Sequence, residues 1–360
     1  SLPGALPICQ VVHVSAAVAY AVARYHRVTG DESFLADCGY ELVFDTARFA
    51  ASVFRRRGNR YASPPVMGVD EYHHGVTNNY YTNAMMRWNI AYALSLLDRD
   101  TSPGDAALCG VRESLSLTDA EIRRWRRIVD AVWLPPDLPG GIPAQDDGYA
   151  ALAECQRRAL RSSPAPRLRP DESALAAAAE HFPTNLIKQA DLVLLCHLLP
   201  DLFDEETTRA AYRHYERRTA HASSLSAGAH GVVAARVGLR DEAYRFLMTA
   251  GRFNLDYTPR ADYRNGLHLS AYAGAWQVIV EGFLGVRPDP SGLLYLRPRL
   301  PVGWTRLEVP LRFRGSRFRV IASCDQFEIR AEDGPDLALR VEDELRCLPA
   351  GEVMRFDLIA

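Results

Sequence analysis

Through roughly its first 285 residues the chain runs from one helix-length apolar segment to the next without a repeated strand between them, and after Gly285 that texture ends. Residues 11–29 carry Val, Ala and Tyr on all sides, as a buried helix does, and stop at Thr29-Gly30-Asp31. Residues 32–54 follow with apolar side chains at mixed helical spacings. The segment 82–97 reads as a helix capped by Thr82 or Asn83, and 119–133 as one opened by the box Thr118-x-x-Glu121. Residues 135–145 and 162–170 are Pro-rich loops. Further helices are expected at 171–181, 186–199, 205–218, 226–237, 240–253 and 272–283. Successive helices with short turns indicate an all-α array. Beyond Gly285, the runs at 292–301, 307–313, 318–323, 327–331 and 337–341 are short and bounded by Gly, Pro or Asp. Their alternation, as in Phe318-Arg-Val-Ile-Ala, is that of half-buried antiparallel strands. Two domains are therefore expected, 1–286 and 287–360.

Charge and cysteine content narrow the function classes. A formal net charge of −2 gives no electrostatic reason to expect nucleic acid or an anionic membrane as a partner. The basic run from Arg123 to Arg127 sits in a helix-like segment and reads as a solvated face. The seven Cys are scattered without CxxC spacing, which fits reduced thiols better than a disulfide framework, and no Cys/His spacing suggests a metal site. No apolar run reaches membrane-spanning length and the start of the chain lacks a leader pattern, so a soluble, cytoplasmic protein is expected.

The richest polar stretch is Met67-Gly-Val-Asp-Glu-Tyr-His-His74, followed by Asn78-Asn-Tyr-Tyr-Thr-Asn83. Burying so many hydrogen-bonding groups unpaired costs roughly 1–3 kcal/mol each, so the stretch is either a solvated loop or the lining of a polar pocket. Tyr72, Tyr80, Tyr81 and Trp88 suit a pocket for sugar, whose rings offer apolar faces to stack on and hydroxyls to bind. A carboxylic acid held among aromatics can have its pKa raised and act as a general acid.

These residues resemble the acid-bearing loop of glycoside hydrolase family 65, which contains inverting disaccharide phosphorylases and a minority of hydrolases. The family's usual wording is Gly-Pro-Asp-Glu-Tyr-His-Glu…Asp-Asn-Asn-Ala-Tyr-Thr-Asn. The resemblance makes Glu71 the general acid and sets Tyr72 and His73 among the substrate-binding residues. Val69, His74 and Thr77 depart from the pattern. The layout it implies is a β-sandwich, a linker, an (α/α)6 barrel and a C-terminal jelly roll. Gln10-x-x-His13 and Thr29-Gly-Asp-x-x-Phe34-Leu match a point already inside the barrel. The expected fold is thus mainly α, a partial (α/α)6 barrel without its N-terminal part, followed by a small antiparallel β-sandwich or jelly-roll domain.

Three more segments follow the family's order. Ile187-Lys188-Gln189-Ala190-Asp191 is expected to open an apolar helix; the resemblance assigns Lys188 and Gln189 to the glucose subsite, while a snorkelling lysine is the plainer alternative. Tyr215-Glu216-Arg-Arg-Thr-Ala-His221-Ala-Ser223-Ser224-Leu-Ser226 places small hydroxyl residues ahead of a helix, suited either to capping or to cradling an anion. The family's phosphorylases carry a nearly identical run and bind phosphate with it, which implies His221, Ser223 and Ser224 as phosphate ligands. Gly266-Leu-His268-Leu and Gly274-Ala-Trp276 match a third motif. They imply His268 in the phosphate pocket, where a hydrogen-bonded core His is the alternative, and Gly274 in close helix packing. Glu216 is either a barrel-stabilising residue or the base of hydrolytic relatives.

The implied function is inverting phosphorolysis of an α-linked glucosyl disaccharide to β-glucose 1-phosphate and a sugar. Inorganic phosphate is the co-substrate, with no cofactor and no metal. The alternatives are an inverting α-glucoside hydrolase and a non-catalytic truncated scaffold of the same family. Disaccharide and phosphate are the expected small-molecule partners, nucleic acid and membrane are not, and a homodimer is an expected assembly.

Overall fold

The computed structural model describes residues 10–99, 106–155, 184–255, 266–289, 291–341 and 344–357. The helix expected at 171–181 and the Pro/Arg-rich run 162–170 lie outside the described residues. The chain divides into two compact units: Ser1–His26, Asp31–Cys155 and Ala176–Ile187 form the first, and Arg27–Gly30, Gln156–Leu175 and Lys188–Ala360 the second. The described part is mainly helical, with a C-terminal region of β-sheet. No described helix is long and apolar enough to cross a membrane.

In the first unit, which holds all of it but its last three residues, α1 (Val14–Thr29) leads through a turn at Glu32–Phe34 and a π-helical stretch, Leu35–Gly39, into α2 (Tyr40–Val53). The expected single helix at 32–54 is therefore interrupted near its start. Arginine-rich β1 (Arg55–Arg57) and β2 (Arg60–Ala62) form an antiparallel hairpin that breaks the expected all-helical run. Next come α3 (Tyr80–Leu97), α4 (Ala106–Ser114) and α5 (Asp119–Ala131). Helix α3 starts earlier than expected because Asn79 is its cap. The Asn79 Oδ1 accepts from the Thr82 backbone N–H at 2.9 Å and from its hydroxyl at 2.8 Å, so Thr82 donates to the cap instead of forming it. Thr118 caps α5 as expected, accepting from Glu121 N–H at 3.2 Å. Fully buried Phe44, Met85, Met86, Ile90, Trp125 and Ile128 form much of the core, each worth roughly 1.5–3 kcal/mol of burial. Within the 123–127 run, Trp125 is buried while Arg126 pairs with Asp98 in solvent.

The second unit contains α6 (Leu192–Leu198), α7 (Glu205–Glu216), α8 (Ser226–Arg236), α9 (Arg240–Gly251) and α10 (Leu269–Gln277), which continues as a π-helical stretch, Val278–Phe283. Helix α6 begins at Leu192, so Lys188 and Gln189 lie in the bends ahead of it and do not open it. Helices α8 and α10 touch at Gly228 and Gly274, where a Cβ on Gly228 would lie 2.7 Å from the Gly274 Cα. Gly274 thus serves the close helix packing expected of it.

The strands are β3 (Arg287–Pro288), β4 (Leu294–Leu296), β5 (Arg306–Phe313), β6 (Ser316–Ser323), β7 (Gln326–Asp333), β8 (Leu337–Val341), β9 (Glu344–Leu348) and β10 (Val353–Asp357). One sheet has the order β10-β7-β6-β5 and is antiparallel throughout. The other, β3-β4-β8-β9, is mixed, because β4 and β8 run parallel with Leu294 opposite Leu339. That pair corrects the expectation of a wholly antiparallel domain. Strands β4 and β8 are separated in sequence by the other sheet's β5, β6 and β7, so no hairpin dictates their direction. Leu296 and Leu339 of one sheet share a core with Phe318, Val320 and Ile329 of the other, giving a sandwich.

Candidate active site

Glu71 is exposed in a turn whose neighbouring residues Asp70, Tyr72 and His73 are fastened down. Val66 and Val76 form an antiparallel bridge at the base of the loop, with two 2.9 Å hydrogen bonds. Asp70, 1 % exposed, holds the tip from inside. Its Oδ1 accepts from Tyr72 N–H at 3.1 Å, and its Oδ2 from His73 Nδ1 at 2.5 Å and Gln145 Nε2 at 3.0 Å. His73 Nε2 donates to the Thr184 carbonyl at 2.7 Å. Burial alone would lower the His73 pKa; the Asp70 hydrogen bond and charge, with the Thr184 carbonyl, outweigh it and lift the imidazole to about 9.

The following segment is equally built. Asn78, buried with φ 54°, accepts from Ser63 N–H at 3.0 Å and donates to Asp147 Oδ2 at 2.7 Å. Asn tolerates this left-handed conformation better than most residues. Trp133 Nε1 donates to the other Asp147 oxygen at 3.0 Å, and Asn83 donates to the Trp133 carbonyl at 2.8 Å. Sequence reasoning missed this wall, Gln145-Asp146-Asp147-Gly148-Tyr149. Its only local sign is a run of polar residues after a Pro-rich loop. Asp146 is buried with its Oδ2 unpartnered among the described residues, and burial raises its pKa. These residues therefore present a dense, partly charged hydrogen-bonding surface on which Glu71 and Asp147 are exposed.

In the second unit, Ala222 N–H donates to the Lys188 carbonyl at 3.0 Å, which brings the Lys188-Gln189 segment against the 221–224 turn. Gln189 is buried and Lys188 half-buried. His221 is buried with φ 54°, a conformation costing a residue other than Gly or Asn on the order of 1–2 kcal/mol. Its Nδ1 lies 2.9 Å from Ser226 Oγ, and its Nε2 lies 4.0 Å from Glu216 Oε1. His230, which sequence reasoning also missed, donates from Nδ1 to the Ser226 carbonyl at 2.9 Å; its ring centroid is 4.5 Å from that of His221.

Ser223 and Ser224 are half-buried just ahead of α8. Ser223 Oγ accepts from Leu225 N–H at 3.3 Å, a capping contact, whereas Ser224 has no hydrogen bond among the described residues. His268 sits at the start of α10, its N–H on Asn254 Oδ1 at 2.9 Å and its ring against Phe253 at 4.9 Å. The structure thus groups Lys188, Gln189, Glu216, His221, Ser223 and Ser224 through direct or sequence-adjacent contacts, and gives His268 its own neighbours. Chemically, the turn offers hydroxyls, an imidazole and the first backbone N–H groups of α8, the donor set that binds oxyanions.

Comparison with known proteins accords with these features. Residues 7–277 match the glycosyl hydrolase family 65 central catalytic domain, and residues 287–345 match the family 65 C-terminal domain. A kojibiose phosphorylase of Caldanaerobacter subterraneus subsp. tengcongensis is 32 % identical over 324 residues, covering 89 % of this chain and 41 % of the relative. A 1,2-alpha-glucosylglycerol phosphorylase of Bacillus selenitireducens is 33 % identical, covering 96 % and 46 %. An alpha,alpha-trehalose phosphorylase of Geobacillus stearothermophilus is 31 % identical, covering 91 % and 42 %. Among solved structures, "Putative kojibiose phosphorylase from human microbiome" superposes with a TM-score of 0.82 at 24 % identity, covering 96 % of this chain and 50 % of that one, a likeness of fold. The chain belongs to glycosyl hydrolase family 65. It spans less than half the length of these curated relatives.

Proposed function

We propose that this chain carries the catalytic machinery of an inverting phosphorylase acting on an α-linked glucoside, and that its helices are part of an (α/α)6 barrel. Glu71 gives a proton to the glycosidic oxygen as the bond from that oxygen to the anomeric carbon breaks. A phosphate oxygen forms the new bond to that carbon from the opposite face, yielding β-glucose 1-phosphate and the free acceptor. The nucleophile is already anionic, so no second carboxylate is needed as base, in contrast to an inverting hydrolase. Lys188 and Gln189 grip the glucose, and His221, Ser223, Ser224 and His268 hold the phosphate.

The observation that carries this reading is the half-buried Ser223-Ser224 turn beside His221 at the start of α8. Its support is the relatives above, which are phosphorylases of kojibiose, glucosylglycerol and trehalose. Those names agree on an α-glucoside and differ in the acceptor. The approach of Glu216 to His221 favours hydrolysis as a second reading, with Glu216 activating water. Joint substitution Ser223→Ala with Ser224→Ala separates the two. The Michaelis constant for phosphate should rise at least tenfold with that for the glucoside little changed, the signature of lost binding to one substrate. An enzyme indifferent to phosphate would leave the hydrolase.

A further inference from the structure

We propose that His73 is a positioning residue which locks the Glu71-bearing turn by donating from both ring nitrogens, to Asp70 and to the Thr184 carbonyl, and that it takes no part in gripping sugar. The inference rests on reading Glu71 as the acid.

The hydrogen-bond inventory compels the double donation. A backbone carbonyl only accepts, so the Nε2 facing Thr184 at 2.7 Å carries a proton. Asp70 accepts from Tyr72 N–H on one oxygen and from Gln145 Nε2 on the other, and as an ionised carboxylate it can only accept from Nδ1, 2.5 Å away, which then carries a proton as well. Both nitrogens are protonated only in the imidazolium, and an imidazolium with both protons engaged has none to offer a sugar hydroxyl. Asp70 immediately precedes Glu71, and Tyr72 N–H, on its other side, is bound to the same carboxylate. Fixing Asp70 thus fixes the backbone on both sides of the acid. An error of about 1 Å in such placement can cost roughly a hundredfold in rate.

The neutral imidazole keeps one proton. If that proton stays on Nδ1, the Nε2 lone pair opposes the Thr184 oxygen, and the lock opens. Besides Asp70, the groups around this ring are Asp146, whose charge also favours the imidazolium, and the Tyr149 ring, 6.4 Å away edge-on. Cys155, whose thiol burial pushes up, lies beside the Thr184 side chain.

The test uses the whole chain with imidazole-labelled histidine, titrated by NMR, alongside kinetics. His73 should titrate near pH 9, unchanged in Cys155→Ser, and titrate lower in Asp70→Asn. His73→Asn should lower kcat tenfold or more, while the Michaelis constant for the glucoside stays within about twofold. Titration of His73 near 6.5, ring signals that move when glucoside is added, or a raised Michaelis constant at unchanged kcat would overturn the proposal. Should the wild type show no phosphorolysis, the reading of function fails by itself, and the titration still decides whether His73 is locked.

Discussion

The turn bearing Glu71 and the turn bearing Ser223 and Ser224 are both polar, yet they are held by different forces. The first hangs on charge: a buried carboxylate and an imidazolium 2.5 Å apart, tied at one end to Gln145 and at the other to Thr184. The second hangs on packing: its helix, α8, is buried along almost all its length and meets α10 at a Gly–Gly contact. A charge-held loop places an acid rigidly while leaving it exposed, but it answers to pH. A helix packed at a Gly–Gly contact is intolerant of added volume.

The largest expected effect is at the exposed tip of the charge-held loop. Glu71→Gln removes the only proton the mechanism draws on and should lower turnover by about a thousandfold or more without altering the melting temperature. A variant near wild-type rate would move the acid elsewhere, Glu216 being the first carboxylate to examine.

The pH response separates the two turns next. The His73 pKa is raised in the folded state, so its contribution to stability is complete below its unfolded value of 6.5 and is lost as pH climbs through about 9. The loss is on the order of 3 kcal/mol, and Asp70→Asn should forfeit a comparable amount at neutral pH by removing the partner that keeps the imidazole charged. Amide exchange at Tyr72, corrected for the intrinsic rise with pH, should accelerate above pH 9 while Val232 to Ala235 in α8 stay protected. Parallel acceleration in both places would erase the distinction.

Added volume should give the smaller, converse result. Gly228→Ala puts a methyl group 2.7 Å from the Gly274 Cα and forces the helices apart, costing about 1–3 kcal/mol. Thermal melts should show that loss with the alkaline transition of the Glu71 loop unchanged. A fully stable Gly228→Ala would show that the contact yields more easily than its geometry implies.

Sequence pattern revealed these two turns unequally well, and for physical reasons. The apolar periodicity of α7, α8 and α9, the Thr118 cap and the alternation of β6 and β7 all reflect burial within a local stretch, so they could be read directly. Helix α4 was missed because Leu108 is its only buried residue. Strand β9 was missed because four of its five residues are exposed, which leaves no alternation to detect. The site residues on each turn were legible as short motifs. The partners that give them their chemistry were not: Gln145 and Thr184 reach Asp70 and His73 across 75 and 111 positions, a pairing that no local pattern encodes. His230 was passed over because a His inside an apolar helix looks like any core residue until its ring is found 4.5 Å from that of His221.

The central claim is that phosphate, not water, takes the glucosyl group. The most direct measurement is the release of glucose 1-phosphate by the full gene product from a panel of α-linked glucosides, with kojibiose, trehalose and glucosylglycerol included, in the presence and absence of phosphate. The account predicts β-glucose 1-phosphate, formed in step with the freed acceptor, and no turnover when phosphate is withheld. Free glucose released at the same rate with or without phosphate would contradict it.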